Sequence, residues 1–110
     1  MSKVAMLSQP MGGKTPREIE EARSKAIDAL GDMGYMVVNT LFTDEMYREF
    51  SRDRDVKNPP LMYLAESLKN MSLCDAVYFC PGWEGARGCR IERKAAEDYG
   101  IEVIDPGDAS

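Results

Sequence analysis

Short apolar runs alternate along the chain with longer segments in which apolar residues return every three or four positions. Lys3–Ser8 (KVAMLS) is mostly apolar and gives way at Gln9-Pro10-Met11-Gly12-Gly13, which can neither extend a strand nor open a helix. A buried strand running into a glycine-containing loop is expected. Thr15-Pro16-Arg17-Glu18 then has capping-box spacing with proline at the first helical position. Ile19, Ala22, Ala26, Leu30 and Met33 mark one face of a helix, for which Gly31 and Gly34 offer a stop. Tyr35–Asn39 (YMVVN) is too short for a helix and rich in strand formers, so it predicts a second strand.

Thr40–Pro60 has a different character, dense in charge and ending in Asn58-Pro59-Pro60. It predicts a solvated excursion with one or two helical turns around Asp44–Phe50. Leu61, Leu64, Ala65, Leu68 and Met71 give Leu61–Ser72 the pattern of a second amphipathic helix. Asp75–Cys80 (DAVYFC) is apolar after its first residue and breaks at Pro81-Gly82-Trp83-Glu84-Gly85. A third helix follows from about Arg87 to Tyr99, closed by Gly100, and Ile101–Ile104 (IEVI) is the last strand. Alternating strands and helices predict an α/β fold with a parallel sheet of four or five strands and helices on both faces. Ligands of such sheets bind outside the carboxyl ends of the strands, which puts Ser8–Gly13 and Pro81–Arg87 on one rim.

Composition narrows the function. A chain of 110 residues is expected to be one domain, and a net charge of −5 argues against a nucleic-acid polymer or an anionic membrane as partner. No apolar run nears the roughly 18 residues of a membrane span and the start has no signal-peptide pattern, so a cytoplasmic protein is expected. The histidine count is zero, which removes Ser-His-Asp and Cys-His catalysis and every His-ligated metal. Acid–base work falls to carboxylates, Tyr, Lys or Cys. Cys74, Cys80 and Cys89 lack C-x-x-C spacing and read as buried thiols, with no metal or other cofactor expected. Eight methionines against three phenylalanines point to a core filled by flexible side chains.

Two loops and one carboxylate carry the candidate chemistry. The stretch Ser8-Gln9-Pro10-Met11-Gly12-Gly13-Lys14 has neither Walker nor G-x-G-x-x-G spacing. Its backbone amides near Gly12 and Gly13 either approach a small polar ligand or form a connector needing positive φ. In Pro81–Gly88 the one tryptophan, Trp83, stands between Gly82 and Glu84-Gly85, where it could stack on a base or sugar. Arg87 opens a helix whose dipole favours a phosphate or carboxylate. Gly88 in a first helical turn invites close approach of a ligand or another backbone. Glu92 lies one turn further on the same face. It reads either as a site carboxylate or as a solvated one paired with Arg90, Arg93 or Lys94.

The frame Pro81-Gly82-Trp83-Glu84-x-x-Arg87-Gly88-x-Arg90-Ile91-Glu92, with Pro10-Met11-x-Gly13 after the first strand, resembles the nucleoside 2-deoxyribosyltransferase-like superfamily, within it the short DUF4406 branch. The resemblance runs from the first strand to the last. It implies a Rossmann-like three-layer sandwich and the cleavage or exchange of the N-glycosidic bond of 2′-deoxynucleosides or nucleotides. Glu92 sits where those enzymes carry their nucleophile, and Ser8, Gln9, Pro10, Met11, Gly12, Gly82, Trp83, Glu84, Arg87 and Gly88 fall on the substrate side. Arg87 tilts the expected ligand toward a nucleotide. Met6, Ala86 and Ser67 stand where relatives carry an aromatic hydroxyl and two aspartates, so Glu84, Glu66 or a residue from a second subunit would have to stand in. The resemblance also implies a homodimer or higher homo-oligomer, with Met33, Met62 and Met71 as candidate contacts. A nucleotide-binding module without catalysis, a sensor or sequestering protein, is the alternative.

Overall fold

The computed structural model describes residues 3–38 and 44–106. The strands β1 (Lys3–Ser8), β2 (Tyr35–Val37), β3 (Ala76–Phe79) and β4 (Glu102–Ile104) form one sheet in the order β2-β1-β3-β4. Every pairing is parallel, with Leu7 opposite Tyr78 and Ser8 opposite Phe79. The helices are α1 (Pro16–Asp32), α2 (Asp44–Ser51), α3 (Pro59–Met71) and α4 (Arg87–Asp98), the last preceded by a 3-10 turn at Trp83–Gly85. This is the α/β parallel sheet that the alternation predicts, in the Rossmann-like three-layer arrangement that the resemblance implies.

β3 is apolar throughout, and β1 from Val4 to Leu7, because they are central and covered on both faces. Side chains alternate between two cores. Ala5 and Leu7 pack with Ala26 and Leu30 of α1 and with Tyr78 and Cys80. On the opposite face Met6, Val77 and Phe79 pack with Met71 of α3 and Ala96 of α4. Ser8 follows Met6 onto this second face, under α4.

Boundaries move for identifiable reasons. Pro59 and Pro60 do not close the charged excursion; they open α3. Asn58 accepts a hydrogen bond from Leu61 N at 3.1 Å, and the prolines fill positions that have no helical bond to lose. α1 runs through Gly31 and stops at Gly34, whose φ is +89°. β2 ends at Val37, one residue short of Val38, whose N donates to Ala5 O at 2.8 Å, and Asn39, the last residue of the expected strand, lies with residues 40–43 outside the described residues. Asp75 and Cys80 flank β3 without joining it: Asp75 N donates to Val4 O at 2.7 Å, while Val4 N donates to Asp75 Oδ2 at the same distance. All three cysteines are free, with Cys80 and Cys89 buried and Cys74 half-buried. Met71 is 3% exposed in the core, so it is not a surface contact for a second subunit.

Candidate active site

The carboxyl ends of β1 and β3 lie side by side at the centre of the sheet. Their connections diverge, β1 passing through α1 to β2 on one side and β3 through α4 to β4 on the other. Divergence of this kind opens a crevice at the strand ends. The two rim loops touch there. Gly82 adopts φ +90°, and a Cβ on it would meet Pro10 Cγ at 3.6 Å. Cys80 N donates to Ser8 O at 2.9 Å, carrying the ladder one residue past the strands.

Over this junction α4 presents Cys89, Glu92 and Ala96, a buried stripe at helical spacing. Glu92 is only 8% exposed. None of the cations that could have paired with it does so. Arg90 donates to Glu84 O at 2.9 Å, Arg93 to both Asp105 oxygens at 2.7 and 3.1 Å, and Lys94 to Asp98 at 3.0 Å. The solvated, ion-paired reading of Glu92 is therefore excluded. Desolvation pushes its carboxyl from 4.5 up to about 7, opposed only by the nearby Ser8 hydroxyl. The same burial raises the Cys89 thiol, which also faces Ser8.

The start of α4 is open. Ala86 occupies the N-cap without a side-chain hydrogen bond, leaving the first-turn amides uncapped on that side. Arg87 is exposed and forms no hydrogen bond or ion pair with the described residues. With Gly88 and Ile91 it lines a cleft of about 470 Å³ against Asn58, Leu61 and Tyr63 at the start of α3. A Cβ at Gly88 would meet only Glu92 Oε1, at 3.9 Å, so protein packing does not demand glycine there. Glu92 Oε1 thus lies beside Gly88, a lining residue of the cleft, while Glu92 itself stays beneath that lining.

The remaining candidates divide. Ser8 and Pro10 are buried, Gln9 is tied by Nε2 to Ile19 O at 2.6 Å, and Met11 and Gly12 are exposed. Positive φ in this loop belongs to Gly13, not Gly12. Glu84 is exposed and offers its carbonyl to Arg90. Trp83 is half-buried, just beyond the carboxyl end of β3. It packs on Phe79 with ring centroids 5.8 Å apart, beneath the Arg93 guanidinium at 4.2 Å. Arg93 and Gly88 are about 140° apart around α4 at 100° per residue, so the indole lies on the flank away from the cleft. Met6 is fully buried, Ser67 is half-buried on α3, and Glu66 pairs with Lys69 at 2.8 Å. Cys89 and the α3 wall of the cleft are site elements that sequence reasoning missed. The three-residue step from Cys89 to Glu92 was the available signal for the first.

Among the described residues no group of three or more His, Cys, Asp or Glu side chains is placed to hold a metal ion, and no helix is long and apolar enough to cross a membrane. Fold and crevice define an α/β protein of the open parallel-sheet class, with one buried carboxyl of near-neutral pKa where such sheets take small ligands. The chain belongs to the family described as Domain of unknown function (DUF4406), whose model matches residues 3–105. Neither a curated protein nor a solved structure matches it.

Proposed function

We propose that the protein binds a 2′-deoxynucleoside monophosphate in this crevice and cleaves or exchanges its N-glycosidic bond, with Glu92 as nucleophile. The observation carrying the reading is Glu92 itself: buried, free of any cationic partner, and half-ionised near pH 7. A carboxylate stripped of water and counter-ion has lost what would blunt its attack on an electrophilic sugar carbon. In the first step a Glu92 oxygen bonds to C1′ while the C1′–N bond breaks and its electron pair leaves with the base. In the second, water or another base attacks C1′ and the carboxylate is released, the proton that the attacker loses to solvent balancing the one that the departed base takes up. The positive charge that develops on the sugar is stabilised by the same carboxylate. Arg87 and the open amides of α4 supply the charge complement for the phosphate.

Release of free base from a panel of deoxynucleoside monophosphates tests this reading. Wild-type protein releases base, and Glu92→Ala lowers the rate about 10³-fold or more while remaining folded. Equal turnover in the two proteins would end the assignment. Because a nucleophile works ionised, kcat/KM rises with pH through about 7; a fall over that range would make Glu92 an acid instead. Non-catalytic nucleotide binding is the second reading, favoured because no second acid among the described residues acts on Glu92. It predicts binding of the same panel with no base released.

The same reading takes the protein to be a cytoplasmic homodimer or higher homo-oligomer. Light scattering at micromolar concentration checks the assembly, with a single species at 12.3 kDa the contrary result.

A further inference from the structure

Ser8 carries a hydroxyl that the sheet does not use. It is the last residue of β1, 1% exposed, with its carbonyl engaged by Cys80 N and its Oγ without any hydrogen bond of good geometry. A buried hydroxyl left in that state is unfavourable, and alanine would fill the same place without the penalty. The hydroxyl faces two groups, the Cys89 thiol and the Glu92 carboxyl, which are one turn apart on the buried stripe of α4.

We propose that Ser8 is a positioning residue for Glu92: its hydroxyl holds one carboxylate oxygen and leaves the other free toward the Gly88 side of the cleft. A serine hydroxyl has one proton to give and two lone pairs to receive with. Its proton goes to ionised Glu92, and a lone pair receives the Cys89 S–H, which burial keeps neutral and therefore a donor. The chain runs from thiol to hydroxyl to carboxylate and contains no cation. It fixes the carboxylate without neutralising it. Among the described residues Cys89 is the titratable group set against Glu92, and no charged side chain acts on it. The proposal rests on Glu92 being the working carboxylate of the crevice.

Carboxyl-carbon NMR titration of Glu92 in the folded protein tests it without requiring turnover. Ser8→Ala raises the Glu92 midpoint by about half a unit or more, because the hydroxyl favours the charged form. Ser8→Thr, which keeps the hydroxyl, stays near wild type, and Ser8→Val, its isostere without the hydroxyl, behaves like Ser8→Ala should the alanine variant fold poorly. In turnover the alanine variant loses about tenfold in kcat with little change in KM. A Glu92 midpoint identical in wild type, Ser8→Ala and Ser8→Val overturns the proposal. If wild type releases no base while the midpoint still moves, the proposed reaction falls and the hold of Ser8 on Glu92 stands.

Discussion

Burial raises the Glu92 carboxyl from 4.5 to about 7, so between those values the folded protein keeps a proton that the unfolded chain has released. Stability is then fullest below pH 4.5 with respect to this group, and declines as pH rises through 7. Glu92→Gln removes the titration. At pH 8 it is more stable to denaturant than wild type by roughly 3 kcal/mol, the rise from 4.5 to about 7 taken at about 1.4 kcal/mol per pKa unit, and the advantage vanishes near pH 4. An advantage independent of pH would show that Glu92 is not buried as an acid. Gly88 makes a second residue-scale case. Gly88→Ala adds helix propensity, worth about 0.5–1 kcal/mol, and meets no protein atom closer than Glu92 Oε1 at 3.9 Å. It therefore stabilises the fold while weakening nucleotide binding, read by thermal melting and calorimetric titration. Tighter binding by this variant would contradict a ligand passing that surface. Sequence spacing placed Glu92 one turn inside α4 but not its burial. Arg90, Arg93 and Lys94 were all within reach as partners, and what occupies them lies elsewhere: the Glu84 carbonyl, Asp105 across the chain, and Asp98.

Two helix starts show how differently the chain treats its elements. α1 has a complete capping box, Thr15 Oγ1 accepting from Glu18 N and Glu18 Oε1 from Thr15 N, both at 3.1 Å. α4 has Ala86 at the same point and no side-chain cap. Thr15→Ala costs about 1 kcal/mol of stability with nucleotide binding unchanged. Ala86→Ser stabilises by about 0.5–1 kcal/mol and weakens binding of the monophosphate more than of the nucleoside, because the new hydroxyl occupies an amide the phosphate would use. Denaturant titration and paired binding curves measure both. Equal weakening of the two ligands would remove the phosphate from the start of α4. The capping box and the apolar periodicity of α1 were legible because both are local. The start of α3 was misplaced by two residues because Asn58-Pro59-Pro60 reads equally as a loop ending and a helix opening, and only the Asn58 hydrogen bond to Leu61 decides it.

At the scale of the molecule, the parallel sheet could be foretold because continuous apolar strands interleaved with amphipathic helices have few other ways to bury both faces. The strand order puts β1 beside β3, and from that adjacency the crevice follows. What the pattern could not give is the cleft between α3 and α4. It depends on how two helices distant in sequence settle on one face of the sheet. The setting of Trp83 was hidden for the same reason: its loop position pointed to the rim, and only the contacts with Phe79 and Arg93 fix where the indole packs. The central claim is that Glu92 forms a bond to the sugar. Incubation with a 2′-fluoro-2′-deoxynucleotide tests it most directly, since fluorine destabilises the positive charge needed to hydrolyse a glycosyl ester and lets the ester accumulate. Peptide mass spectrometry should then find one fluorodeoxyribosyl phosphate attached at Glu92, absent from Glu92→Gln. Base released with Glu92 unmodified, or an adduct on any other residue, would contradict the account.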